Sequence, residues 1–345
     1  MANPLVHTLG KLLMQRSPLS VEIIPGGIEQ WLAEPPGTAQ PSTAFPFLHM
    51  DGHLGVPQKT LYQLYLSALA LLGTETNSVT SQIDASCVIL LANPAHQTAL
   101  NVRKRLVQAG TLSAHEELDF SARLLASSRP ASKESTQWAH RRWIFCRLYP
   151  RTSSPPDFGM SSQGWTPGGL SEFPEIPPDV IEAEFKLISR CCETYPRNYH
   201  AWSHHHLIMQ YIYISLRCFH PADTPYLPLF VGEYMDLRRW IETHISDYSA
   251  MHRFCTIASR LQSLDLPQYD STLRQLADPV VLFDHALTLV KAFPTHESLW
   301  MYLRAVITIS PQNANSFAAS AISSTAHSPF RDRFISWAQR YYKLA

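Results

Sequence analysis

The amino-acid sequence predicts an all-α fold, a solenoid of about five helical hairpins. Three observations lead there. Apolar residues recur at helical spacing in segment after segment, strand-like alternation is scarce, and a large anchor residue returns in register at the start of every second helix.

Taken in order, residues 1–57 read as an irregular N-terminal extension, because 25–57 is rich in Pro and Gly (EPPGTAQPSTAFPF) and such composition does not sustain helices. From residue 58 to 345 the pattern is helical. Between 60 and 73 Leu61, Leu64, Tyr65, Leu66, Leu69 and Leu72 fill one broad face, and Gly73 is the stop. Helices follow over 81–92 and 97–109, the first ending before Asn93-Pro94 and the second at Gly110. The same helix, turn, helix unit returns at 116–127 with 137–149, at 180–195 with 200–217, at 233–245 with 250–263, and at 280–293 with 299–309. Each pair buries its apolar face only against its neighbours. A Pro/Gly/Ser-rich insertion at 150–178 and a shorter Pro-containing one near 218–228 interrupt the array.

The chain has 345 residues, and a stack of repeats accommodates that length better than one compact core. Lys+Arg 28 against Asp+Glu 28 gives a formal net charge of zero, so no basic field points to nucleic acid or an anionic membrane. Charged residues make up 16% of the chain, below the ~25% usual for soluble domains, which leaves surface for a permanent protein partner. The six cysteines (Cys87, Cys146, Cys191, Cys192, Cys218, Cys255) lie mostly in apolar helical stretches without CxxC spacing, as expected for free thiols in a reducing compartment. The apolar run at the start is broken by His7 and Lys11 and has no cleavage pattern, and no stretch nears the ~20 apolar residues of a membrane span. A cytoplasmic location is expected.

The second helices align through PAHQTALNVRKRL, SKESTQWAHRRWI, PRNYHAWSHHHLI, DYSAMHRFCTI and THESLWMYLRAVI, with anchors Leu100, Trp138, Trp202, Met251 and Trp300. A tryptophan repeated at this position fills the gap between stacked hairpins. PRNYHAWSHHH and STQWAHRRWIF resemble the protein prenyltransferase alpha-subunit repeat, whose core reads N-Y-x-A-W-x-x-R. The resemblance runs from about residue 21 to 309. The arginine three positions after the anchor is present as Arg103 and Arg141 but is replaced by His205 and Phe254.

The resemblance implies a right-handed, crescent-shaped superhelix that pairs with a beta subunit of the Rab geranylgeranyltransferase type. No cofactor is expected in this chain: the family's zinc and isoprenoid pocket belong to the beta subunit, where the metal lowers the thiol pKa of an acceptor protein's cysteine. The family's lysine five positions before the second-repeat tryptophan, which contacts the diphosphate of prenyl diphosphate, falls on Lys133, while its nearby tyrosine is replaced by Ser135. Tyr199 and His200 match residues that face the family's cleft. Lys133, Tyr199 and His200 are therefore the expected catalytic set. Arg103, Arg141, Arg142, His204 and His205 are candidates for contact with the partner, with pairing between adjacent hairpins as the alternative for the arginines.

His200 and His204 share a helical face, but a zinc site needs a third ligand and neither HExxH nor a cysteine pair supplies one. With no phosphate loop and no Ser/His/Asp series, the chain is not expected to be a complete enzyme alone. The reading is thus the alpha-type subunit of a protein geranylgeranyltransferase. A non-catalytic helical scaffold, or a member acting on small prenyl diphosphates, stands as the alternative.

Overall fold

The computed structural model describes residues 3–15, 20–27, 45–73, 78–149, 176–218, 225–264, 275–276 and 278–342. The described residues are overwhelmingly helical, an all-α helical-repeat fold. The insertion expected at 150–178 and the linker near 218–228 fall mostly outside them.

The chain divides into two compact units, the division falling within α8 and α9. The first begins with α1 (Pro4–Met14), capped by the Asn3 carboxamide, which accepts from the Leu5 amide. A small sheet follows: β1 (Ser20–Ile24), β2 (Leu48–Met50) and β3 (His53–Pro57), ordered β1-β3-β2. β1 runs parallel to β3 and β2 antiparallel to it. This corrects the expectation of an irregular, sheet-free extension. The hairpin forms at Asp51-Gly52, both at positive φ (49° and 79°), the backbone that a two-residue turn with the native strand twist demands. Val21, Leu54 and Val56 are buried with Val6, Leu9 and Leu13 of α1 in one core, so the sheet roofs the helices instead of standing apart.

α2 (Gln58–Leu72), α3 (Val79–Ala92), α4 (Gln97–Gln108), α5 (Ala114–Ser127), the one-turn α6 (Arg129–Lys133) and α7 (Ser135–Leu148) complete the unit. α1 packs on α3. Gly10 makes that approach feasible, because a Cβ there would lie 2.5 Å from the Asp84 backbone. α3 pairs with α4 and α5 with α7, as predicted.

The second unit contains most of α9 and everything after it. α8 (Pro178–Thr194) and α9 (Tyr199–Cys218) precede α10 (Tyr226–Thr243), α11 (Tyr248–Ser263), α12 (Pro279–Ala292), α13 (Glu297–Thr308), α14 (Ala314–Ser324) and α15 (Pro329–Tyr341). α10 packs on α11, α12 on α13, and α13 on α11 and α15. α14 and α15 form a hairpin beyond the five expected. The repeated tryptophans fill the core: Trp138, Trp202 and Trp300 are nearly inaccessible. Each indole N–H finds a carbonyl or carboxylate. Trp138 donates to Ser132 O (2.9 Å), Trp300 to Pro294 O (2.9 Å) and Trp202 to Asp247 Oδ2 (3.1 Å). Cys87, Cys191, Cys192 and Cys255 are buried and stand outside any disulfide; the side chains of Cys146 and Cys218 lie outside the described residues.

Candidate functional site

The predicted catalytic residues sit at two turns that the fold ties together. Ser128 caps α6, its hydroxyl accepting from the Ala131 amide (3.3 Å), and Pro130 fixes the first turn. Lys133 ends this helix. The next residue, Glu134, caps α7 by accepting from the Thr136 amide at 3.1 Å. The second turn, residues 195–198, is closed by Asn198, whose Oδ1 accepts from the Ala201 amide (3.1 Å) at the start of α9.

Ser132 is the clasp between the two turns. Its hydroxyl donates to Cys191 O (3.0 Å), while the Asn198 carboxamide donates to Ser132 O (2.8 Å) and to Ser132 Oγ (2.9 Å). Arg129 Nε adds a bond to Thr194 O at 3.2 Å. Ser132 and Asn198 are fully buried, so the bonds are protected from water and hold the turns in fixed register.

Lys133, Tyr199 and His200 are thereby brought to one edge of the first unit. Lys133 is exposed, its Nζ 5.7 Å from the centre of the Tyr195 ring. Tyr199 is 64% exposed and packs edge-on against His200 at 5.3 Å. His200 is half-buried, and its pKa lies below the ordinary value: burial disfavours the imidazolium first, Glu134 opposes that, and the nearby charges of Arg142 and Lys133 lower it further. The edge therefore presents the basic side chains of Lys133 and Arg142, a phenol and an imidazole, an arrangement suited to a phosphate-type anion.

Of the residues expected to touch a partner, only Arg142 belongs to this edge. The others are corrected by burial. Arg103 is wholly enclosed and gives its guanidinium to Glu117, Ser86 and Cys87. Arg141 donates to Leu118 O (2.9 Å) and Ser121 Oγ (2.6 Å). His204 faces Glu184 at 3.3 Å, and His205 meets Glu233 at 2.7 Å. All four side chains serve the array itself. The departures at His205 and Phe254 are internal as well. His205 supplies an imidazole–carboxylate pair, and Phe254 packs on Tyr234 with ring centres 4.8 Å apart. Among the described residues no group of three or more His, Cys, Asp or Glu is arranged to hold a metal ion.

Residues 181–212, which span most of α8 and the first part of α9 with Tyr199 and His200, match the family model of the protein prenyltransferase alpha subunit repeat. The chain is thus similar to that repeat over this one stretch. It is similar to the human protein prenyltransferase alpha subunit repeat-containing protein 1, with 27% identity over 252 residues, covering 65% of this chain and 58% of the relative. A Xenopus laevis relative, repeat-containing protein 1-A, is 28% identical over 66% of this chain and 54% of its own length. The Danio rerio protein of the human relative's name is 26% identical, over 65% and 54%. The chain thus spans little more than half the length of the relatives it matches.

Ser132, Asn198, Glu134 and Tyr195 were not singled out in the sequence. Asn198 had a legible signal, a capping residue just before the helix in PRNYHAW; Ser132 had none.

Proposed function

We propose that this chain is the alpha-type, non-zinc subunit of a heterodimeric protein geranylgeranyltransferase. With a beta subunit of the Rab geranylgeranyltransferase kind it transfers a prenyl group from prenyl diphosphate to the cysteine of an acceptor protein. The observation that carries the reading is the convergence of Lys133 with Tyr199 and His200, residues from two successive repeats, on one edge held by the Ser132 clasp. The repeat match and the names of the relatives support it.

In this reading Lys133 places its ammonium against the diphosphate and neutralises charge that grows as the leaving group departs. The neutral His200 imidazole donates a hydrogen bond to the same group, and the Tyr199 phenol closes the rim. Activation of the acceptor thiol would fall to zinc in the beta subunit, so the chemistry would be shared and this chain alone would turn nothing over. A cytoplasmic workplace fits the buried thiols that stand outside any disulfide; among the described residues no helix is long and apolar enough to cross a membrane.

Co-expression with such a beta subunit, followed by purification on a tag carried by this chain, tests the assignment. A one-to-one complex that transfers geranylgeranyl to an acceptor is the expected result. A chain that stays alone beside every prenyltransferase beta subunit contradicts it.

A further inference from the structure

The second unit holds a group of basic side chains that the proposed reaction does not use. On α9, His206 and Tyr213 stand seven residues apart on one face; on α11, Arg253 and Arg260 do the same, with His252 beside them. Two helical turns separate the members of each pair, so each pair lies on one face of its own helix, and the two faces touch through Tyr213. Arg260 lays its guanidinium over the Tyr213 ring, 5.0 Å from the centre, and the Tyr213 hydroxyl lies 2.8 Å from Ser263 Oγ.

Arg260 is incompletely satisfied: its Nη1 is shut off from solvent and has no hydrogen-bond acceptor among the described residues. A buried charged donor without an acceptor is costly, and native structures rarely keep one without a reason. His206 reports the same imbalance. Burial pushes its pKa down, and Arg253, Arg260, His205 and His252 push it further, to about 3. The charges of these neighbours all act in one direction. A dianion with several acceptor oxygens would relieve both conditions, since guanidinium forks and imidazole N–H groups match its geometry.

We propose that the face shared by α9 and α11 is a binding site for a dianionic phosphate group, held by Arg260, Arg253, His206 and His252. Arg260 Nη1 gains its acceptor there, and His206 takes up a proton as the anion arrives. Tyr213 and Ser263 form the polar rim.

The test is a titration of the full chain with inorganic phosphate, read by calorimetry and by the NMR signal of the His206 ring. A second arm uses phosphatidylcholine vesicles with and without phosphatidic acid, which separates a lipid headgroup from a free phosphate. Saturable phosphate binding is expected, with the His206 titration moving to higher pH. Arg260→Met, which keeps the contact with Tyr213, should weaken binding roughly tenfold or more, the loss expected for one charged hydrogen bond. His206→Gln removes the proton uptake and serves if the arginine variant does not fold. Two results overturn the proposal: no phosphate-dependent change in wild type, or equal affinity in wild type and in a variant of unchanged helicity and Tm.

Discussion

Arg103 and Glu117 form an ion pair with side chains 0% and 1% exposed, and His140 approaches the same carboxylate at 2.6 Å. The arginine lies three residues after its repeat's anchor, and its partner sits on the first helix of the next hairpin. At equivalent places His205 pairs with Glu233 and Phe254 packs on Tyr234 with the rings tilted. Arg103 and His205 thereby reach the first helix of the next hairpin, whereas Phe254 and Arg141, at the same position, pack against the first helix of their own.

Breaking the pair leaves a buried charge without compensation. Glu117→Gln should cost about 3–5 kcal/mol in urea unfolding. The double replacement Arg103→Met/Glu117→Leu should recover much of that, because both charges leave together. A loss from the single change below about 1 kcal/mol would count against the buried pair.

The same pair sets an acid limit. Burial alone would raise the Glu117 carboxyl, but the Arg103 charge and the hydrogen bonds from His140 and Arg103 outweigh it and hold the pKa at about 2, against an ordinary 4.5. A depressed carboxyl stabilises fully above its unfolded pKa and loses that contribution as pH falls through the folded one. Stability should decline between pH 4.5 and about 2, and Glu117→Gln should flatten that decline. Parallel wild-type and mutant curves would show that another group titrates there.

His200 should titrate below its ordinary value in the free chain. Removing Lys133 takes away a repelling cation and raises the midpoint; Glu134→Gln removes the favourable anion and lowers it further. Ring NMR shifts followed across pH provide the check. An unmoved midpoint in both variants would place these groups too far apart to act together.

The Ser132 clasp links stability to the site. Ser132→Ala deletes the bond to Cys191 O and one of the two from Asn198, with an expected loss of about 1–3 kcal/mol. Under the proposed function, transfer by the heterodimer should fall as well, since the Lys133 turn loses its register against His200. Unchanged stability and rate would mean that Asn198 alone holds the turns.

Most helices of the array were legible from a periodic apolar face, while α3, buried continuously from Asp84 to Leu91, showed as a long apolar run; most bounds lie within two residues of those predicted. α10 starts seven residues earlier than expected because Pro228 reads as a breaker, yet it sits in the first turn, where its missing N–H costs nothing. The sheet was missed although Asp51-Gly52 is a strong hairpin signal; its strands are only three or five residues long and a Pro/Gly stretch parts β1 from the other two. Lys133, Tyr199 and His200 were singled out only through what the family resemblance implies. The bonds that hold them together join residues 59 and 66 apart in sequence, and no local pattern encodes such a pairing.

The central claim is that Lys133 faces the diphosphate of a prenyl donor in the assembled enzyme, and single-turnover prenyl transfer at saturating prenyl diphosphate tests it most directly. Lys133→Ala should slow transfer roughly ten- to a thousandfold, as expected for losing one electrostatic contact to a transition state, while heterodimer formation and acceptor binding stay unchanged. Equal rates for wild-type and mutant complexes would contradict the account and return Lys133 to an ordinary surface residue.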